Sequence, residues 1–134
     1  MPAETNLSVL LSTMQPQLHE GEFVFYSVEP GYTIDIAHII CYFKEAEGIT
    51  LVLPRHIADE LKLVYTGTFA WITMRVHSSL NAVGFTAAFS TALGNAGISC
   101  NVMAACYHDH IFVPAVQASE AMRVLEVLAG KSGQ

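Results

Sequence analysis

The stretch WITMRV (71–76), HSSLNAVG (77–84), FTAAFSTALGNAG (85–97), ISCNV (98–102) decides the fold. Residues 71–76 alternate, with Ile72, Met74 and Val76 on one side and Trp71, Thr73 and Arg75 on the other, the pattern of a half-buried strand. After Gly84 the period becomes helical. Phe85, Ala88, Phe89, Ala92, Leu93 and Ala96 recur at i, i+3, i+4, i+7, i+8 and i+11, and Gly97 is placed to stop the helix. Alternation then returns, with Ile98, Cys100, Val102, Ala104 and Cys106 on one face of a strand. Tyr107-His108-Asp109-His110 reads as a turn, Ile111-Phe112-Val113 as a strand ended by Pro114, and Ala118, Ala121, Met122, Leu125 and Leu128 as the buried stripe of a last helix. Glu120 in its first turn and Lys131 past its end suit the helix dipole.

Working back toward the N-terminus, Leu7, Leu10, Leu11 and Met14 mark a short helix before Pro16. Residues 23–28 (FVFYSV) are aromatic and β-branched and read as a strand. A loop with Pro30-Gly31 follows. Residues 39–43 (IICYF) are apolar on both faces and read as a central strand; residues 49–53 (ITLVL) are the next strand, stopped by Pro54. Ile57, Ala58, Leu61 and Val64 then line one face of a short helix. The two halves share a strand, a proline and a short amphipathic helix, at 49–61 and 110–122. A duplicated α+β unit would leave this trace. Hairpin connections with helices on one side predict antiparallel sheets covered by helices on one face.

The chain has 134 residues, 52% of them apolar and only 13% charged. So few charges on a small domain predict apolar surface held against another subunit. The formal charge is −6, and the six lysines and arginines are scattered. That excludes a phosphate-neutralising nucleic-acid binder and disfavours anionic membranes. No export signal and no membrane-length apolar run is visible, so the expectation is a cytoplasmic protein. Cys41, Cys100 and Cys106 are odd in number, lack a C-x-x-C spacing, and read as buried reduced thiols in apolar strands.

These residues resemble the ACT-domain family, and in particular the regulatory ACT modules of aspartate kinases. The shared order is strand, Gly-started helix, the Asn95-Ala96-Gly97-Ile98 entry to a strand, a short strand, and the helix at 118–125. The strings LHEGEFVF (18–25), GITLVLP (48–54), HSSL (77–80), GISCNV (97–102) and YHDH (107–110) are similar to those of small stand-alone bacterial ACT proteins. The resemblance implies a ferredoxin-like ACT architecture in an α+β fold. Two intertwined ACT-like units are expected, an N-terminal half at 1–66 and a C-terminal half at 67–134. One departure stands out: the usual unit ends in a strand, whereas residues 130–134 are too short and polar to supply one. A strand from the first half fills that gap, most simply residues 23–28.

The loop formed by His77, Ser78, Ser79, Leu80, Asn81, Ala82, Val83 and Gly84 is the ligand candidate. It delivers short hydrogen-bonding side chains to a helix N-terminus, whose unpaired amides suit a carboxylate. ACT modules that bind amino acids use this loop with the facing strand of a neighbouring unit, and on that resemblance Asn101 is the second contributor. The alternative is that Ser78, Ser79 and Asn81 only cap the helix and shape the turn. His108 and His110 would share a strand face but lack further ligands, so no metal site and no cofactor is expected. There is no G-x-S-x-G, P-loop, dinucleotide fingerprint or close carboxylate pair. The expectation is a non-enzymatic, amino-acid-binding regulatory module that self-associates as a homodimer. The rivals are an interaction module without a small-molecule ligand and, far behind, a metal-dependent enzyme using His108 and His110.

Overall fold

A computed structural model describes residues 3–130. In chain order the elements are α1 (Leu7–Thr13), β1 (Gln15–Leu18), β2 (Phe23–Val28), β3 (Cys41–Lys44), β4 (Ile49–Pro54), α2 (Arg55–Glu60), β5 (Phe69–Arg75), α3 (Phe85–Asn95), β6 (Asn101–Ala104), β7 (Asp109–Pro114) and α4 (Ala118–Leu128). Short 3-10 turns lie at Ile36–His38 and Ala115–Gln117. The fold is α+β, with antiparallel pairing in every register given below. Lys131 and the polar tail lie outside the described residues.

The chain forms two compact units. One consists of Met1–His19 with Ala70–Gln134, and the other is Glu20–Phe69, inserted between those two pieces in sequence.

In the first unit the strand order is β1-β5-β7-β6. The fourth strand is therefore Gln15–Leu18, paired antiparallel to β5 with Gln15 opposite Arg75 and Leu18 opposite Ile72. This corrects the assignment of that place to Phe23–Val28. Residues 23–28 carry the stronger β propensity, but QPQL suffices here. A proline is tolerated where the strand is an edge and its missing N–H faces away from the ladder. Ala70, Ile72 and Met74 of β5 and Ile111 and Val113 of β7 point to one side. They pack there with Leu10 and Met14, with Phe85, Phe89 and Leu93 of α3, and with Ala121 and Leu125 of α4. Nearly all of these are sealed from solvent. α3 stops where the sequence says it should. Gly97 is left-handed at φ 76°, and the Ile98 N–H reaches back to the Leu93 carbonyl, a Schellman closure.

In the inserted unit the order is β3-β4-β2, with Phe23 of β2 also opposite Phe69. Val24, Leu51, Leu53 and Ala58 form its core, with Tyr26, Val28, Ile34 and Ile39 packed against them. Two readings change here. The apolar segment 39–43 is an edge, not a central strand: β3 pairs with β4 alone, and Tyr42 and Phe43 are 56% and 62% exposed. The helical stripe ends at Glu60, so Leu61 caps it and Val64 lies in solvent. The two proline-terminated strands do have corresponding forms, β4 running through Pro54 into α2 and β7 through Pro114 toward α4.

Gly97→Ala is expected to lower stability by about 1 kcal/mol, because no atom obstructs the added methyl and only the left-handed backbone resists it. A urea melt compared with wild type checks this.

Candidate functional site

The loop at 77–84 begins where β5 gives out. Ser78 and Thr73, with Asp109, are the buried polar residues among the described ones. The Ser78 N–H donates to the Val76 carbonyl, and the Ser79 hydroxyl accepts from the Asn81 N–H at 3.0 Å. Ser79 thus shapes the turn and does not cap the helix. Leu80 and Val83 stand in solvent, 66% and 84% exposed. His77 is exposed, its ring 6.1 Å from that of Tyr107. Gly84 takes φ 94° at the N-cap, where it offers no side chain to cap α3, and no side-chain bond to the first-turn amides is seen among the described residues. The first-turn N–H groups of that helix therefore lack both an intrahelical partner and a side-chain cap.

The N-terminal segment braces this loop, which the sequence does not announce. The Glu4 N–H donates to the His77 carbonyl and the Ser79 N–H to the Glu4 carbonyl, both at 2.9 Å. Leu7 of α1 sits so close that a Cβ at Gly84 would lie 3.3 Å from its Cδ2. Glycine is favoured at this position by its φ, and a side chain there would also press on Leu7.

Asn101 is not beside the loop in its own chain. Register puts Asn101 opposite Phe112 and Ala104 opposite Asp109. The turn after Ala104 is the end that meets β5, with His108 Nδ1 3.2 Å from the Val76 carbonyl. Asn101 is three residues, or roughly 10 Å of strand, away toward the other end. Its amide donates to the Phe112 carbonyl at 3.2 Å. Residues 77–84 are one continuous loop; Asn101 stands apart from it.

The YHDH turn shifts by two residues. Asp109 and His110 already belong to β7, and the Ala105 N–H donates to the His108 carbonyl across the bend. Ala104 and Cys106 are consequently exposed, so the inward stripe predicted for 98–106 ends at Val102 and Cys106 is not a buried thiol. Burial pushes the Cys100 thiol up to about 11 and raises that of Cys41, which keeps both thiols protonated and poorly nucleophilic. Among the described residues, no three His, Cys, Asp or Glu side chains converge on a possible metal position.

The other face of β5 and β7 carries a polar and aromatic cluster. The His19 ring stacks on Trp71 at 3.6 Å, and its Nε2 lies 2.7 Å from the Thr73 hydroxyl. That hydroxyl is 2.9 Å from His110 Nδ1, which also accepts from the Trp71 indole N–H at 3.1 Å. An accepting Nδ1 requires neutral His110 with its proton on Nε2. Burial first, then the charges of His108 and His19, hold the His110 pKa below its usual value; burial and Arg75 do the same for His19.

This fold and this loop define a protein built from ACT domains. ACT-domain profiles match residues 2–70 and 68–127, and the chain belongs to the ACT-domain family. A crystal structure of VC0802 from Vibrio cholerae, a protein of unknown function titled a possible transport protein, is 43% identical. It covers 92% of this chain and 95% of its own, with a TM-score of 0.81. The regulatory subunit of aspartate kinase from Thermus thermophilus, in ligand-free form, is 11% identical over 88% of this chain and 97% of its own, at TM-score 0.64. A putative C-terminal regulatory domain of aspartate kinase from Porphyromonas gingivalis is 12% identical over 88% and 98%, at 0.59. These last two likenesses are of fold. Comparison with curated proteins finds no match. No helix among the described residues is long and apolar enough to cross a membrane.

Trp71 is the single tryptophan and reports on the histidine cluster directly. A histidine whose folded pKa is depressed contributes stability above pH 6.5 and loses it as pH falls through the folded value. Protonated His110 would turn a second donor on the Trp71 N–H. Tryptophan emission should therefore change with a midpoint below about pH 6.5, with the melting temperature falling over the same range. His110→Gln should diminish the transition; an unaltered titration in that variant would refute the assignment.

Proposed function

We propose that this chain is a non-enzymatic regulatory module that binds an amino acid at the loop of His77, Ser78, Ser79, Leu80, Asn81, Val83 and Gly84, and acts through self-association. The observation that carries the reading is the uncapped first turn of α3, at the end of a loop supplying serine and asparagine groups. Such a terminus favours a carboxylate through its N–H groups and its partial positive charge. Membership of the ACT family and likeness in fold to aspartate kinase regulatory subunits support a regulatory ligand-binding role.

Self-association completes the site in this reading. Asn101 stands away from the loop of its own chain, so a second copy would bring its own Asn101 to face it, as a homodimer. Leu80 and Val83, apolar and exposed on the loop itself, gain from such burial. Ligand held between copies stabilises the associated state, which couples binding to quaternary state. Three cysteines with no disulfide among the described residues suit a cytoplasmic setting.

A second reading, an interaction module with no small-molecule ligand, is favoured by the exposed Tyr42 and Phe43 on the β3 edge. Thermal shift against the twenty amino acids separates the two. A ligand at 100 times its Kd adds about 2.7 kcal/mol. That is roughly 5 to 15 °C in a chain of this size. Ser79→Ala with Asn81→Ala should abolish the response while leaving the unliganded melting temperature within a few degrees. A flat panel in the wild type supports the interaction module.

A further inference from the structure

We propose that Asp109 is the counter-ion for the amino group of the ligand, so that the site selects zwitterionic amino acids over carboxylates lacking an amine. This rests on the reading of loop 77–84 as the ligand site, and it adds a residue that lies outside the loop.

Asp109 is 6% exposed, an unusual setting for a carboxylate. It shares the inward face of β7 with Ile111 and Val113, the face packed by α3 and α4. It also opens that strand at the end where β5 stops and loop 77–84 departs, its neighbour His108 touching the Val76 carbonyl. The carboxylate and the first turn of α3 thus belong to the same end of the same sheet.

No described lysine or arginine of the unit is paired with it. Among the described residues the cationic side chains of this unit are Arg75 and Arg123. Arg75 lies on the opposite parity of β5 and donates to Gln17, while Arg123 is bound to Glu120. The imidazole of His108 is the one group whose charge favours its ionised form, and burial outweighs it, so the carboxyl pKa is raised. Of the other charged groups at this end, Glu4 is acidic and turned to the Thr5 and Asn6 amides, and His77 is exposed.

A buried carboxylate without a cation is unfavourable, and hydrophobic or neutral isosteres would serve a purely structural position better. The residue is nonetheless not fully closed off, 6% of its surface remaining in contact with solvent. A ligand ammonium entering there supplies the missing charge while its carboxylate takes the α3 amides. Both ends of one zwitterion are then matched, and an amine or an acid alone satisfies only one.

The test compares wild type and Asp109→Asn by thermal shift. The probes are the twenty L-amino acids and, for each responder, the α-hydroxy acid that replaces its amine by a hydroxyl. Without ligand, Asp109→Asn should melt higher than wild type at pH 7, the gain vanishing below about pH 4 as the native carboxyl protonates. With ligand, the variant should bind the responding amino acid roughly 10- to 100-fold more weakly. Wild type should likewise prefer the amino acid over its hydroxy analogue. Equal affinity of variant and wild type would overturn the assignment and leave the loop reading intact. So would equal binding of amino and hydroxy acid by the wild type, which needs no variant. A wild type silent to every amino acid overturns the loop reading and this one with it.

Discussion

The structure of the larger unit depends on β5 being two-sided. Its inward residues, Ala70, Ile72 and Met74, are nearly or fully sealed and carry the contact with α3 and α4. Its outward residues, Trp71 and Thr73, hold two imidazoles in a hydrogen-bonded stack. Side-chain period in a strand is two, so one residue of slippage would exchange these sets, burying the polar network and exposing the core. Register is therefore fixed from both faces. The end of the strand is fixed with it, and so is the point at which loop 77–84 departs.

From that point the loop is determined by backbone more than by side chains. Gly84 is left-handed, with Leu7 packed close to it, and Glu4 pairs with both sides of Ser78. The N-terminal residues serve the unit twice, first as a brace on the loop and then, through β1, as its fourth strand. A circular ordering of this kind places the N-terminus beside the candidate site without lengthening the chain. It also means that anything ordering or loosening Glu4 acts on the loop directly, since the two share hydrogen bonds.

What was legible in the residues follows periodicity and punctuation. The helix from Phe85 and its stop at Gly97 could be read because six apolar positions and a glycine agree. The fourth strand could not, because QPQL has neither β-branched residues nor alternation, and its place is set by pairing with β5. Residues 39–43 look central because both faces are apolar, yet edge position is a property of the partner strands. The site divides likewise. Loop 77–84 stands as a candidate on its serines, Asn81 and Gly84. The brace by Glu4 and the burial of Asp109 are long-range facts, and Asp109 in particular read as a turn residue between two histidines.

The separation of Asn101 from the loop bears on how such a protein could regulate anything. If every contributor to a site lay on one rigid unit, binding would leave association unchanged. A ligand shifts an equilibrium only by its differential affinity for the two states. Asn101 lies on β6 away from the turn that approaches the end of β5, whereas loop 77–84 departs from that end. In the reading proposed above, a ligand that needs both would be bound only where copies meet, and its whole differential affinity would fall on the associated form. The exposed Leu80 and Val83 would work in the same direction if that association buried them. In this arrangement the strength of coupling is set by how much of the binding free energy comes from the far strand.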